Sequence, residues 1–294
     1  MSEVRLAKKG DIRQQKEIWK LCFGDSDHYI KFYFKNMYKE DETLLLFEDE
    51  SIASMLTMLP VKIITADQRS FDSAMLYAVA THPNFQNQGF SNQLIDFAHQ
   101  YLRKKGVFFT VLVPSGQQLF NFYRKQGYED GLYIRELLFN REMIEQVDKD
   151  INCPFVLSRI SPEKYNQIRN QKLIGKFYVE YADDKILYQK QLSQESGADI
   201  FSINCNGIQG CVAIERLNAN RVFIKELLIP EELIPGAVKH IAGLFPAREY
   251  VVRTPAYSGQ QLSGIRPFGM IKAIQRNDFE ITPETRGYLG FAFD

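Results

Sequence analysis

An apolar strand, a polar turn, an amphipathic helix and a second apolar strand follow one another between residues 71 and 113. In the helical part, 90–105, leucine, isoleucine and alanine side chains recur at the spacing that places them on one face. The run 107–113 is continuously apolar, which is typical of a buried parallel strand. This order predicts a β-α-β unit and, with the strands that precede it, an α/β fold with a mixed sheet.

The turn of this unit is polar and contains one glycine, and its residues are Gln86, Asn87, Gln88, Gly89, Phe90 and Ser91. The first turn of a helix has unpaired N–H groups and the positive end of the helix dipole. Glycine at position 89 lets the backbone approach a ligand closely. The turn therefore favours binding of a phosphate or pyrophosphate group.

Composition and charge limit the classes of partner. The chain has 294 residues with 36 Lys plus Arg and 36 Asp plus Glu, so its net charge is zero. This balance does not support a nucleic-acid or membrane-surface partner, and no apolar run is long enough to span a bilayer. The four cysteines form no CxxC pair, and the histidines lack the spacing of metal ligands. We therefore expect a cytoplasmic protein with reduced cysteines, no metal, no nucleic acid and no membrane partner.

The chain divides into two predicted domains. A charged segment at 141–153 precedes Pro154 and marks a boundary, so we predict domains at 1–150 and 151–294. The predicted elements of the second half repeat the strand-strand-strand-helix-strand order of the first. This repetition indicates an internal structural duplication.

Three strand predictions and one turn complete the outline. We predict separate strands at 52–59 and 61–65, and a last strand at 287–293. In the second half, 229–236 occupies the place of the phosphate-binding turn, but it has two prolines, which lack N–H donors, and two acids. We therefore predict that this second turn does not bind a phosphate ligand.

A second motif lies about thirty residues after the first, and it reads Leu119-Phe-Asn-Phe-Tyr-Arg-Lys-Gln-Gly-Tyr128. Together with Val79-Ala-Thr81 and the polar turn, it resembles the Gcn5-related N-acetyltransferase (GNAT) family over residues 1–140. The tandem arrangement also resembles the enhanced-intracellular-survival (Eis) acetyltransferases, without their third, sterol-carrier-like domain. The resemblance implies two tandem acyl-CoA N-acyltransferase (GNAT) folds, the second degenerate, with the catalytic domain first.

The resemblance also implies roles for individual residues. Acetyl-CoA is the expected co-substrate, and its pyrophosphate is expected at residues 86–91. Backbone groups of Val79, Ala80 and Thr81 are expected to bind the pantetheine arm and the thioester carbonyl, with Asn121 near the pantetheine or phosphate end. Tyr123 is the expected general acid, since a phenol holds its proton at pH 7 and can protonate the leaving thiolate. Packing on an amphipathic helix is the alternative role of Tyr123.

The acceptor is expected to be a primary amine of a small molecule or peptide. Aromatic residues are dense in the early helices, which line the acceptor site in this family, and the candidates for substrate binding are Trp19, Tyr29, Tyr33 and Tyr77. An ordinary aromatic core explains the same pattern. Exposed aromatic and strand-edge surface is compatible with a homo-oligomer.

The general base is not identified by the resemblance. Many family members have a glutamate on the strand before the turn, at or near the position of Met75, which cannot accept a proton. Asp72, Tyr77, a water chain or an amine that arrives neutral are alternatives. The terminal carboxylate of Asp294 is a further candidate, as in the Eis-type enzymes. The leading hypothesis is an N-acetyltransferase, and its rival is a non-catalytic acyl-CoA-binding sensor or interaction protein.

Overall fold

The structure is a computed structural model that describes residues 2–147, 154–259, 264–276, 279 and 285–293. The chain forms two compact units, and each unit takes segments from both halves of the sequence. The first contains the described residues within Met1–Ile63, Ser70–Glu129 and Met270–Glu280, and the second contains those within Ile64–Arg69, Asp130–Gly269 and Ile281–Asp294. The division into domains at 1–150 and 151–294, each with one copy of the fold, stays a prediction.

Elements from the first part of the chain form most of the first unit. They are β1 (Ser2–Leu6), α1 (Ile12–Phe23), α2 (Asp27–Asn36), β2 (Thr43–Glu48), β3 (Ser51–Ile64), β4 (Ser70–Thr81), α3 (Phe90–Lys104), β5 (Phe109–Leu112) and α4 (Gln117–Lys125).

The remaining elements follow in chain order. They are β6 (Glu129–Asn140), α5 (Arg141–Gln146), β7 (Phe155–Arg159), α6 (Pro162–Lys172), β8 (Tyr178–Glu180), α7 (Asp183–Glu195), β9 (Ile200–Cys205), β10 (Ile208–Asn218), β11 (Arg221–Leu228), α8 (Ile234–Leu244), β12 (Glu249–Pro255) and β13 (Ile265–Ala273).

The sheet of the first unit has the strand order β1-β2-β3-β4-β5-β13. Strands β4 and β5 pair in parallel, with α3 between them in sequence, which confirms the predicted β-α-β unit. The last position is taken by the end of β13, which pairs antiparallel with β5 from Met270 opposite Leu112 to Ala273 opposite Phe109. A strand from the far end of the chain therefore completes this sheet.

The sheet of the second unit has the order β7-β9-β10-β11-β12-β6. Strands β11 and β12 are parallel, and the other neighbours are antiparallel. Its parallel pair and the helix α8 between those strands match β4, α3 and β5 of the first unit. The repeated topology supports the predicted duplication, and β6 from the first half of the chain completes the second sheet as β13 completes the first.

Three predictions differ from the structure. Strand β3 continues through Pro60, where two strands were expected; the Pro60 side chain is exposed, and an extended backbone suits the fixed φ of proline. The described residues of 287–293 form no regular strand and contribute only single bridges at Gly287 and Tyr288. Cys205 is disulfide-bonded, so the expectation of reduced cysteines is wrong at that position.

Helix α3 packs on the first sheet through one apolar face. Leu94, Ile95 and Ala98 are fully buried, and Leu102 is nearly so, as the helical spacing predicted. Full burial of a leucine or isoleucine side chain stabilises a fold by roughly 1.5–3 kcal/mol. This face fixes the start of α3 relative to the ends of β4 and β5, which is where the polar turn lies.

Candidate active site

Strands β4 and β5 pair over a short distance only. Their parallel register ends with Met75 opposite Val111, although β4 continues to Thr81. Ala78 lies in this unpaired part with a φ of 50°, a left-handed conformation that is strained for a residue with a Cβ. Among the described residues, no strand pairs from residue 76 onward with the side of β4 that faces away from β3. This side is therefore open, and the backbone of β4 is bent at Ala78.

The predicted pantetheine-binding residues lie on this unpaired part of β4. Val79 and Thr81 are partly exposed, whereas Ala80 is buried. Ser54 of β3 donates a hydrogen bond from Oγ to the carbonyl of Ala80 at 2.8 Å, and its Oγ lies 3.0 Å from Thr81 Oγ1. Strand β3 therefore holds the end of β4 from one side, which leaves the opposite side for a ligand.

The polar turn is braced by its own side chains. Gln86 donates from Nε2 to the carbonyl of Thr81 at 3.2 Å, and Gln88 donates from Nε2 to the carbonyl of Asn84 at 3.3 Å. These two bonds direct the amide side chains back to the turn. They leave its backbone on the outer surface.

The start of α3 provides unpaired donors. Asn87 and Gly89 have φ values of 60° and 82°, and the helix begins at Phe90, with Ser91 in its first turn. Gly89 is the N-cap and supplies no side-chain acceptor to the first-turn N–H groups. With the helix dipole, these groups form a site that suits an anion. Residues 86–91 form the turn and the helix start that the sequence predicted, and their binding of a pyrophosphate stays a prediction.

Tyr123 lies on α4 within the apolar core of the first unit, which includes Leu94 and Leu112. Its side chain is 7% exposed, and its ring contacts Phe122 and Tyr128 with centroid separations of 5.1 and 5.7 Å. Burial raises the pKa of Tyr123 from 10.0 to about 12. No described residue accepts a hydrogen bond from its hydroxyl. The phenol is therefore protonated at neutral pH and has a free donor.

Asn121 lies on the exposed part of the same helix. Its Oδ1 accepts a hydrogen bond from Arg124 Nη1 at 2.9 Å. The pair presents an amide N–H group and a guanidinium at the surface of α4. Both are donors, as the predicted contact of Asn121 with a cofactor carbonyl or phosphate requires.

A buried polar network lies behind Tyr123. Tyr128 OH is 2.9 Å from His99 Nε2 and 2.9 Å from Thr110 Oγ1. Burial, with the nearby charges of Lys272 and Arg103, lowers the pKa of His99 from 6.5 to about 3. His99 is therefore neutral at physiological pH and acts as a fixed hydrogen-bonding group, not as a base.

The neutral state of His99 makes stability depend on pH. Because its folded pKa is depressed, the unfolded chain binds a proton below pH 6.5 that the folded chain does not. Stability is full above about pH 6.5 and is lost toward pH 3, by about 3 kcal/mol at pH 4.5. We expect His99→Gln to flatten this dependence in urea unfolding at pH 7.5, 6 and 4.5. The exposed His28→Gln is the control, and equal slopes for both variants would contradict the assignment.

The four predicted acceptor-site aromatics lie together, but in two environments. Trp19 and Tyr33 are 3% and 1% exposed, with ring centroids 4.4 Å apart. Tyr29 and Tyr77 are partly exposed, and their hydroxyl oxygens are 3.3 Å apart. Trp19 Nε1 donates to Asp25 Oδ2 at 2.8 Å. Tyr77 directly precedes the bend at residue 78, so the cluster reaches the open side of β4.

The candidate general bases differ in burial and in their distance from the bend of β4. Met75 is 1% exposed and occupies the core. Asp72 is six residues before Ala78 on an extended strand, roughly 20 Å away, which is too far for proton transfer. Tyr77 is partly exposed, and its hydroxyl oxygen is 3.3 Å from that of Tyr29. Asp294 lies outside the described residues, and the preceding Phe293 is buried within the second unit.

The equivalent turn of the second unit has a different construction. It begins with Pro230, continues through a short 3-10 turn, Glu231–Leu233, and enters α8 with Pro235 in the first helical turn. Two prolines remove donors from the positions where the first unit offers N–H groups. The turn has the chemistry that the sequence predicted for a degenerate copy.

Two residues of the site were missed by sequence reasoning. Ser54 holds the carbonyl of Ala80, and Gln126 donates from Nε2 to Asn92 Oδ1 at 3.0 Å, which joins the end of α4 to the first turn of α3. Both act across elements that are distant in sequence, so no local pattern identifies them. Within the described part of the chain, no cluster of His, Cys, Asp or Glu is arranged for a metal, and no helix is long and apolar enough to cross a membrane.

Comparisons with known proteins agree with this geometry. Residues 3–131 match the family model described as an acetyltransferase (GNAT) domain. A GCN5-related N-acetyltransferase from Anabaena variabilis has a similar structure, with a TM-score of 0.75 and 16% identity over 94% of this chain and 73% of that one. Eis1 from Mycobacterium abscessus gives a TM-score of 0.67 with 11% identity, over 92% of this chain and 74% of its own.

A tandem GNAT protein from the clavulanic acid biosynthesis pathway is similar over its whole length. It covers 95% of this chain and 100% of itself, with 11% identity and a TM-score of 0.55. No curated protein matches the sequence significantly. Residues 3–131 therefore match a GNAT acetyltransferase domain, within a chain whose fold is similar to that of a tandem GNAT protein.

Proposed function

We propose that this protein is an acetyl-CoA-dependent N-acetyltransferase that moves an acetyl group directly to a primary amine of a small molecule or peptide. The observation that carries the proposal is the juxtaposition in the first unit of three features. These are the open, bent end of β4, the uncapped start of α3 and the buried Tyr123 with its free hydroxyl. The first domain is the catalytic one, and the second is the degenerate copy.

The residues of the first unit fit acetyl-CoA. The N–H groups of 86–91 suit a pyrophosphate, and the unpaired edge of Val79, Ala80 and Thr81 suits the amides of a pantetheine arm, which lies extended like a strand. When bound, acetyl-CoA supplies an activated acyl group with a thiolate leaving group. Backbone N–H groups near Ala80 then stabilise the negative charge that develops on the thioester oxygen.

Tyr123 is the proposed general acid. A thiol has a pKa of about 8.5 in water, so a phenol with a pKa near 12 transfers its proton to a solvated thiolate unfavourably. The same burial that raises the pKa of Tyr123 also raises the pKa of a thiol beside it, which narrows this difference. Tyr123 therefore donates a hydrogen bond to the sulfur first, and its proton follows as the C–S bond breaks.

The acceptor amine is proposed to lie beside Tyr77 and Tyr29. Both tyrosines are partly exposed, and the ring of Tyr77 packs against the buried rings of Trp19 and Tyr33. Met75 supplies no carboxylate for proton removal. An amine that arrives neutral needs no base before it attacks, but its nitrogen must still lose a proton as the amide forms. That proton is taken by water, by Tyr77 or by the terminal carboxylate of Asp294.

The test is the release of free CoA thiol from acetyl-CoA with a panel of primary amines. The panel contains aliphatic monoamines, polyamines, amino-acid amides and lysine-containing peptides, and mass spectrometry identifies the acetylated product. Turnover with any amine supports the enzyme. Micromolar acetyl-CoA binding without turnover on the panel would favour a non-catalytic acyl-CoA sensor. The methionine at position 75, which cannot accept a proton, supports that alternative.

Replacement of Gly89 tests the anion site. A valine would have to adopt a φ of 82°, so the turn would change its backbone and misdirect the N–H groups. We expect Gly89→Val to weaken CoA binding by roughly tenfold or more in isothermal titration.

The matched control for this change is Gly106→Val, at the other end of α3. Gly106 has the same φ of 82° and equally open surroundings. Both variants should lose similar stability, but only Gly89→Val should lose CoA affinity. Equal affinities for the two variants would show that the turn does not bind the pyrophosphate.

Location and assembly stay predictions from the sequence. The zero net charge gives no support for a nucleic-acid or membrane-surface partner. A homo-oligomer is also proposed, and size-exclusion chromatography with light scattering would test it.

A further inference from the structure

We propose that Lys272 is a positioning residue for Tyr123, and that it acts by holding the carboxyl end of α4. Lys272 is supplied by β13, the strand that the far end of the chain contributes to the first unit. The proposal rests on the proposed function, because it concerns the placement of the proposed acid.

The register of β13 brings Lys272 to this place. Lys272 lies opposite Thr110 of β5. Its Nζ donates a hydrogen bond to the carbonyl of Gln126 at 2.6 Å and lies 5.8 Å from the ring centroid of Tyr128. Lys272 is partly buried, and its side chain passes within 3.6 Å of the position that a Cβ on Gly127 would occupy. The ammonium is therefore in contact with the turn that ends α4.

Lys272 contacts the end of the helix that carries Tyr123. Helix α4 has only nine residues, and Tyr123 lies in its last turn. Gln126 is the C-cap, and the backbone N–H groups of Gln126 and Tyr128 both donate to the carbonyl of Tyr123, at 2.9 and 3.1 Å. A cation at the C-terminus of a helix stabilises its last carbonyl groups. Loss of Lys272 would therefore loosen the turn that carries Tyr123.

Gln126 connects the same point to the anion site. Its backbone carbonyl accepts from Lys272, and its side-chain Nε2 donates to Asn92 in the first turn of α3 at 3.0 Å. The chain of contacts from β13 through Gln126 to α3 fixes the helix of the proposed acid relative to the helix of the proposed pyrophosphate site. Since misplacement by about 1 Å can cost roughly 100-fold in rate, this bracing matters for catalysis.

The test compares three variants of the full chain. Lys272→Met keeps the apolar stem and removes the donor, and Lys272→Arg restores a donor. Arg103→Met is the matched control, since Arg103 Nε donates to the carbonyl of Ile274, directly after β13, at 2.7 Å and has no hydrogen bond to α4 among the described residues. Two measurements are made: amide hydrogen exchange of residues 126–128, and kcat and KM with acetyl-CoA and the amine that the panel identifies.

We expect Lys272→Met to speed exchange at residues 126–128 and to lower kcat by roughly tenfold, with KM for acetyl-CoA changed less than about twofold. Lys272→Arg should restore both, and Arg103→Met should lower thermal stability without the kcat loss. Unchanged exchange in Lys272→Met would overturn the contact, and an equal kcat loss in Arg103→Met would overturn the positioning role. If the parent has no activity, the proposed function fails while the exchange measurement still decides whether Lys272 holds α4.

Discussion

Tyr123→Phe is expected to lower kcat with acetyl-CoA and an amine acceptor by roughly 100-fold or more, because a positioned general acid contributes about 10²–10⁴ to a rate. The change removes one hydroxyl from a buried ring that has no hydrogen-bond acceptor among the described residues. The core packing of the ring is retained, so folding and CoA affinity should change little. Stopped-flow or steady-state thiol release, with titration of CoA binding, measures both quantities.

Tyr128→Phe is the matched control for this variant. Tyr128 is also a buried tyrosine, and its ring centroid is 5.7 Å from that of Tyr123, but its hydroxyl is engaged by His99 and Thr110. Loss of this hydroxyl leaves buried polar partners unsatisfied, which costs about 1–3 kcal/mol of stability. We therefore expect the control to lose stability and keep most of its kcat, the reverse of Tyr123→Phe.

The pH profile adds a further constraint. With a pKa near 12, Tyr123 stays protonated across the range in which the protein can be assayed. The ratio of parent to variant kcat should therefore be constant from pH 6 to pH 10. Equal rates for parent and Tyr123→Phe would remove the acid role and leave the phenol as a packing residue.

The first unit could be predicted from the sequence because its site is made of local patterns. The turn 86–91 combines an N-terminal helix start with a glycine that needs a positive φ, and both signals lie within six residues. The helix of Tyr123 is marked in the same way by its aromatic face and by Gly127, whose φ is 79°. Each signal depends on backbone chemistry that neighbouring residues decide.

The exchange of strands between the two units could not be predicted in this way. Strands β6 and β13 are ordinary alternating strands in the sequence, and their partners are chosen by long-range pairing. The left-handed conformation of Ala78 is also invisible, because alanine gives no signal for a positive φ. Lys272 was missed for the same reason, since its role exists only after β13 joins the first sheet.

The end of β11 in the second unit can be compared with the open end of β4 in the first unit. The parallel pairing of β4 ends at Met75 in the first unit, and that of β11 ends at Ile224 in the second. Lys225 and Glu226 directly follow this end in β11, as the open stretch with Tyr77 and Ala78 follows it in β4. The open, bent stretch of β4 therefore corresponds in β11 to two buried charges.

These charges are held by partners inside the second unit. Lys225 is 1% exposed, with Nζ 3.1 Å from Glu215 Oε1. Glu226 is fully buried and is bound by Arg169 and by the hydroxyl of Tyr165, which donates to Oε2 at 2.9 Å. The second copy therefore has two prolines without N–H donors in its turn and buried, paired charges at the end of its strand.

Arg169→Met is expected to destabilise the second unit by about 3–5 kcal/mol, because it leaves Glu226 as an unpaired buried charge. Arg169 Nε is 3.1 Å from Glu226 Oε1, and both side chains are fully buried. Arg169 also donates to the carbonyls of Val179 and Leu289 at 2.9 and 3.0 Å. Loss of these bonds should release the segment around Leu289, which urea unfolding and amide exchange can measure.

Gly290 shows how closely this pair approaches the same segment. A Cβ at Gly290 would collide with Glu226 Oε1 and lie 2.8 Å from Arg169 Nη2, and its φ of 82° already disfavours a side chain. The ion pair and the segment are therefore packed as one body. This packing explains why we expect the cost of Arg169→Met to exceed that of an isolated salt bridge.

Two further variants test whether the unpaired charge of buried Glu226 causes the loss of stability in Arg169→Met. The double change Arg169→Met with Glu226→Leu removes both charges, so it should recover part of the stability that Arg169→Met loses, although the two carbonyls stay unpaired. Arg221→Met, which breaks the partly exposed pair with Glu249 at 3.4 Å, should cost less than about 1 kcal/mol. If Arg169→Met were as mild as Arg221→Met, or if the double variant were less stable than Arg169→Met, the stability would not come from pairing Glu226. The second copy would then keep its fold through apolar packing alone.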